Sequence, residues 1–200
     1  MSAPIIVGVA GGSGSGKTLF IRKLVARIPD VSIHSMDNYY INRELQPKDR
    51  DGIENFDTLD SIDRSKFIQD LHSLARGESV VLEEYNYNNP DHERKQIEIK
   101  SSRVIIVEGI FTFHIEEIRS LLNLKLFIEA PDFLMLKRRI IRDAEERGYD
   151  INDVLYRFEH HVTPAFKTYI EPSRKWADVI IPNHHNFDVA LEVIINYLNP

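Results

Sequence analysis

The chain has 200 residues, 42% of them hydrophobic, with 31 acidic against 25 basic side chains and a formal charge of −6. That mild acidic excess argues against a protein that holds nucleic acid chiefly by neutralising phosphates, so any cationic site has to be local. The absence of cysteine excludes disulfides, thiolate zinc sites, iron–sulfur clusters and a cysteine nucleophile and suits a reducing compartment, the cytoplasm being the expectation; no apolar run approaches a membrane span, and no cleavable leader is recognisable.

Residues 1–200 read as one domain without repeats or dividing linkers. The first apolar run, Ile5 to Val9, has the β-branched density of a strand covered on both faces. It leads into Gly11-Gly12-Ser13-Gly14-Ser15-Gly16-Lys17-Thr18, a full match to G-x-x-x-x-G-K-[ST], and then into a helical pattern from Leu19 to Ile28. This context suits a phosphate-binding loop. Glycines let consecutive backbone N–H groups converge on phosphate oxygens, and the helix N-terminus adds partial positive charge. Lys17 would reach the β- and γ-phosphates, and the Thr18 hydroxyl is a candidate ligand for Mg²⁺.

A second strand is expected at Val31 to His34, followed by Asp37. If that strand neighbours the first, Asp37 faces the γ-phosphate, where it could take a proton from an attacking hydroxyl and help hold Mg²⁺; an Asx-turn or helix cap is the plainer reading. Residues 39–101 break the rhythm with Asp, Asn, Tyr and charge, and form the expected acceptor-binding insertion. Within it Phe67 to Ala75, closed by Gly77, reads as a helix, and Val80 to Leu82 with Ile97 to Ile99 as an antiparallel hairpin beside the sheet.

The run Val104 to Val107 ends in Glu108, a carboxylate at a strand end that could hold Mg²⁺. A further strand, Lys125 to Ile128, precedes a helical segment from Phe133 to Glu146, closed by Gly148. Here Arg138, Arg139, Arg142 and Arg147 concentrate positive charge in a segment, 137–150, that reads as a lid over the phosphates. Alternatively, Asp143, Glu145 and Glu146 pair with these arginines on a solvated face. Helical periodicity continues over Ile151 to Tyr169, a last strand is expected at Val179 to Ile181, and a last helix over Val189 to Leu198. The alternation predicts an α/β fold, a doubly wound parallel sheet of the P-loop NTPase type with helices on both faces and a small hairpin insertion. The eight histidines include two adjacent pairs, His160-His161 and His184-His185, but no H-x-x-x-H arrangement, so zinc is not expected.

Taken in order, GGSGSGKT, MDNYY, Asn55-Phe56-Asp57 with Asp60, Tyr85 with His92 and Arg94, VEGIF, the arginine segment and KTYIEPSRKWADVIIP resemble the uridine/cytidine kinases of the phosphoribulokinase/uridine kinase group, nearly end to end. The resemblance implies transfer of the γ-phosphate of ATP or GTP, with Mg²⁺, to the 5′-hydroxyl of uridine or cytidine, and a homotetramer. It implies that Asp37 is the base, that Asp57 and Arg139 contact the ribose hydroxyls, and that Tyr40, Phe56, Tyr85, Tyr87 and His92 surround the nucleobase. The departures lie on the acceptor side. Leu59 stands where the family has proline, the turn 85–94 is two residues longer, Tyr149 replaces an arginine that reaches the nucleoside, and Arg157 replaces a glutamine. A kinase for another small hydroxyl acceptor, such as nicotinamide riboside, pantothenate or a sugar phosphate, is therefore the alternative. A nucleotide-binding regulator is a third reading, which Asp37 and the arginine lid oppose.

Overall fold

Five β-branched runs form parallel strands in the computed structural model, which describes residues 3–85 and 95–199, the side chains of 146 and 147 excepted. These are β1 (Ile5–Ala10), β2 (Val31–Ser35), β5 (Val104–Glu108), β6 (Leu124–Glu129) and β7 (Val179–Pro182), ordered β2-β5-β1-β6-β7. Successive side chains alternate between two apolar layers, as strand geometry requires. Val104 and Ile106 face helix α1 (Lys17–Val25) and helix α7 (Asp188–Leu198); Ile105 and Val107 face the layer holding α2 (Arg64–Ala75) and α3 (Glu116–Leu121). Burial on both faces is what permits a run such as VIIV to be continuously apolar.

The order corrects one premise of the sequence reading. β2 does not neighbour β1, because β5 lies between them, with Val9 and Ser35 both opposite Glu108. The chain steps from β1 outward to β2 but from β5 across to β6 on the other side of β1, so the crevice at the carboxyl ends of β1 and β5 is where a ligand site is expected in such a sheet. The hairpin forms as expected: β3 (Val80–Glu83) pairs antiparallel with β4 (Gln96–Ile99) as a separate two-stranded sheet, with Val80, Leu82 and Ile99 buried in the α2 layer.

The expected helix over 151–169 is interrupted. Helix α5 (Ile151–Arg157) widens into a π turn (Phe158–Val162), resumes briefly as α6 (Thr163–Ala165), widens again (Phe166–Ile170) and ends in a 3₁₀ segment (Glu171–Trp176). Pro164 has no N–H to donate, which disfavours a regular ladder through this stretch. α3 has no counterpart among the expected elements, because six residues span too few turns to show a period. Helix α4 (Asp132–Arg147) ends at Gly148 in the left-handed conformation (φ 66°) as the sequence indicated. Among the described residues no helix is long and apolar enough to cross a membrane.

One buried titratable group makes the core pH-sensitive. His34 on β2 is fully buried, stacked on Phe67 at 4.2 Å and edge-on to Tyr39 at 5.2 Å, with Nε2 3.1 Å from the Phe67 carbonyl. Burial pushes its imidazole down from 6.5 to about 4, against the opposing pull of that carbonyl. The unfolded chain therefore takes up a proton here below pH 6.5 that the folded chain refuses. Stability is fully present above that pH and declines as pH falls through about 4, by about 3 kcal/mol in all. Urea unfolding of His34→Phe at pH 7 and 4.5 should show a shallower loss than the unsubstituted protein; equal losses would remove His34 from the acid limb.

Candidate active site

The loop between β1 and α1 closes tightly. Gly14 and Gly16 have φ of 83° and 104°, and a β-carbon would strike the Met135 carbonyl at the first and the Asn183 amide at the second. Glycine is therefore required there on both conformational and steric grounds. Lys17 Nζ donates to the carbonyls of Gly11 (2.9 Å) and Gly12 (3.2 Å). Its burial lowers the ammonium pKa, and the carboxylates of Glu108 and Asp37 oppose that shift.

Asp37 arrives on a 3₁₀ turn, Met36–Tyr39, directly after β2. Ser35 makes the capping bond, its Oγ accepting the Asp37 N–H at 3.3 Å, so Asp37 is not the cap and its carboxylate is left for the cleft. The Ser35 hydroxyl also donates to Glu108 Oε1. Burial, with the nearby Asp37 charge adding to it, pushes the Glu108 carboxyl up to about 7, while Lys17 and Ser35 pull the other way. Two carboxylates, Asp37 and Glu108, beside a helix N-terminal hydroxyl, Thr18, are a donor set suited to a hard divalent cation.

These groups line a cleft of about 280 Å³. Ser13, Gly14, Gly16, Lys17 and Thr18 form its floor; Asp37 and Glu108 one flank; Arg138, Arg139 and Arg142 of α4 another; Tyr40, Phe56, Asp57, Tyr149 and Arg157 the far wall. Gly11, Gly12 and Ser15 belong to the loop without lining the cleft. Phe56 meets Tyr40 edge-on at 5.7 Å, and Tyr85 stands behind Tyr40 at 5.4 Å, outside the cleft lining. Tyr87, His92 and the side chain of Arg147 lie outside the described residues. Among the described residues no cluster of three His, Cys, Asp or Glu side chains could hold a metal by itself.

The arginines do different things. Arg139 Nη1 donates to Ser13 Oγ at 3.0 Å. Arg138 donates to the carbonyls of Ser15 (3.2 Å), Gly14 (3.4 Å) and Asn183 (3.1 Å), and Asn183 Nδ2 donates to the Ser15 carbonyl at 2.8 Å. Arg138 and Asn183 thus brace the loop, while Arg138 also lines the cleft. Asn183 carries no sequence signal for this, since it follows β7 and is distant along the chain.

Asp143 is the other residue that sequence reasoning undervalued. It does pair with the arginines, as the plainer reading had it, but not on a solvated face: only 2% exposed, it lies 3.1 Å from Arg139 Nε and accepts from Arg142 Nε at 2.8 Å. Met135, Arg139 and Asp143 recur every four residues on the buried side of α4. That spacing was the available signal. Arg157, also buried, is held by Asp153 (3.0 Å) and its guanidinium lies 5.5 Å from the centre of the Tyr149 ring, so these two residues of the far wall are in mutual contact. Trp176 lies away from the cleft, 44% exposed, with the Arg119 guanidinium 4.4 Å from its ring centre.

The family model described as the phosphoribulokinase/uridine kinase family matches residues 6–190. The chain is similar to a uridine kinase of Macrococcus caseolyticus, 35% identical over 196 residues that cover 97% of this chain and 95% of that one. It is likewise similar to uridine-cytidine kinase B of Dictyostelium discoideum, 33% identical over 98% of this chain and 82% of the other. The structure of phosphoribulokinase from Rhodobacter spheroides superposes with a TM-score of 0.66 at 17% identity, over 90% of this chain and 70% of that one, a likeness of fold.

Removing a buried counter-charge costs about 3–5 kcal/mol when the partner cation stays behind. Asp143→Ala should therefore lower the urea-unfolding midpoint substantially, while Asp143→Asn, which keeps an acceptor oxygen, should lower it less. Unchanged midpoints for both would mean that solvent already neutralises Arg139 and Arg142.

Proposed function

The chain belongs to the phosphoribulokinase/uridine kinase family, and from that premise we propose that it is a uridine/cytidine kinase that moves the γ-phosphate of ATP or GTP to the nucleoside 5′-hydroxyl. The observation that carries the reading is the composition of one cleft, lined together by the phosphate loop, two carboxylates, three arginines and an aromatic wall.

Phosphoryl transfer asks the protein mainly for position and charge. The loop N–H groups and Lys17 hold the donor phosphates, and Arg139 and Arg142 offset the charge spread over the transferring group. Asp37 orients the acceptor hydroxyl and receives its proton. Mg²⁺ would be held by Thr18, Asp37 and Glu108 and would supply neutralisation of the donor's phosphate charge. Tyr40 and Phe56 offer faces for the nucleobase, and Asp57 and Arg139, which line the same cleft, contact the ribose hydroxyls. The arginine layer of α4 excludes water that would otherwise hydrolyse the donor.

One observation favours keeping a second acceptor in view: the Arg157–Tyr149 contact alters the wall that the nucleoside would meet. A coupled ADP-release assay across uridine, cytidine, nicotinamide riboside, pantothenate and sugar phosphates tests this directly. Uridine or cytidine should turn over best; turnover of another acceptor with both inert would replace the nucleoside reading. Asp37→Asn should leave donor binding near normal and lower kcat by about 10²-fold or more, the scale of a positioned base. Lys17→Ala should weaken both donor binding and turnover, measured by titration with a fluorescent nucleotide and by initial rates. Normal rates in either variant would remove that residue from the mechanism.

A further inference from the structure

The loop that brings Phe56 and Asp57 to the cleft is tied to the helical segment across it by a side-chain cluster that no part of the phosphate machinery uses. Asp49 is at its centre. Its Oδ1 accepts the backbone N–H groups of Asp51 and Ile53, both at 2.9 Å, and the Asp49 N–H donates to the Ile53 carbonyl at 2.9 Å. Its Oδ2 accepts from His161 Nε2 at 2.7 Å and from the Tyr156 hydroxyl at 2.9 Å. An ionised carboxylate can only accept, so the proton on this imidazole sits on Nε2. The Tyr156 hydroxyl lies a further 2.7 Å from Asp51 Oδ2, and Arg157 Nη1 reaches the Glu54 carbonyl at 2.6 Å.

The cluster joins positions more than 100 residues apart. His161 is almost fully buried, in the π turn Phe158–Val162, whereas its neighbour His160 is exposed against Tyr156. Burial would raise the Asp49 carboxyl, but the bonds from His161, Ile53, Tyr156 and Asp51 outweigh it and hold the group well below the usual carboxylate range. The charged acceptor is thus the form the site is built around. From Asp49 the chain runs through Asn55, whose N–H donates to the Pro47 carbonyl at 2.7 Å and whose Oδ1 receives the Asp57 N–H at 2.9 Å. Asp49 and Asp57 thus belong to one hydrogen-bonded loop.

We propose that Asp49, gripped by His161 and Tyr156, is a positioning residue for the acceptor: the grip sets the loop 49–57 so that Phe56 and Asp57 meet the bound acceptor. This rests on the kinase reading in placing the acceptor against Phe56 and Asp57. It assigns no chemistry to His161 and leaves the donor half of the cleft independent of it.

The test compares His161→Gln, Tyr156→Phe, Asp49→Asn and the double variant Asp49→Asn with His161→Gln. In each, the KM for the acceptor should rise about tenfold, the size of a small misplacement propagated to a binding group. The donor KM and the slow hydrolysis of donor without acceptor should stay as in the unsubstituted enzyme. The double variant should cost no more than the worse single one, because both remove one interaction. Amide exchange should quicken over 49–57 and remain unchanged over 11–18. A purely structural role would instead lower kcat through a smaller active fraction with both KM values unmoved, which would overturn the proposal. So would an unchanged acceptor KM in folded His161→Gln, or donor and acceptor KM rising together. Tyr156→Phe keeps the ring in place and covers the case in which Asp49→Asn fails to fold. If the unsubstituted chain phosphorylates no acceptor, the kinase reading fails on its own; exchange over 49–57 then judges the grip, and unaltered protection at Asp51 and Ile53 overturns it.

Discussion

A lysine ammonium enclosed at the carboxyl end of a parallel sheet has to be balanced by nearby negative charge or lose its proton. Lys17 is in that position, and the balance comes from Glu108 on β5 and Asp37 beyond β2. This accounts for the order of the strands as a chemical matter. With β5 inserted between β1 and β2, Glu108 stands level with both Val9 and Ser35, so one carboxylate lies beside the phosphate loop and in reach of the Ser35 hydroxyl. Asp37 then reaches the same cleft from the next strand over. The raised pKa of Glu108 reflects its burial first and the neighbouring Asp37 charge second. A triphosphate and a divalent cation would bring in charges of both signs, and the pair of carboxylates is suited to the cation.

The same accounting governs the other flank. An acidic chain of net charge −6 places three arginines of α4 on one cleft. Guanidinium groups are buried at tolerable cost only when paired. Asp143 supplies that pairing from within the helix, and the Ser13 hydroxyl and the loop carbonyls supply acceptors from without. The arginine helix and the phosphate loop are therefore not independent parts brought together by a ligand; they are already hydrogen-bonded to one another. Asn183, entering from the end of β7, ties a third element to the back of the loop.

The acceptor side is held by a different device. The loop through Asp49 contains no strand longer than an isolated bridge, and its path is set by carboxylate and amide bonds to its own backbone and by three side chains of the helical segment opposite. Such a loop can vary in sequence without disturbing the phosphate site. Tyr149 and Arg157 line the cleft in mutual contact, away from the phosphate loop, which keeps every residue of its motif.

Local sequence was sufficient for the elements and for the phosphate loop. Strand runs such as VIIV, the G-x-x-x-x-G-K-T motif and the Gly148 stop are each specified within a few residues by backbone conformation and periodicity, and the strands and most of the helices stand within a few residues of where they were expected. What only the tertiary structure decided were pairings across large separations: β5 between β1 and β2, Arg138 with Asn183, Asp143 buried rather than solvated, and Asp49 with His161. The π turns of 158–170 belong with these, because their widening shows in packing rather than in a hydrophobic period. The physical reason is the same for all. Backbone propensity and motif chemistry act over one or two turns of chain, whereas burial, and with it the need to pair a charge, exists only once distant segments have met.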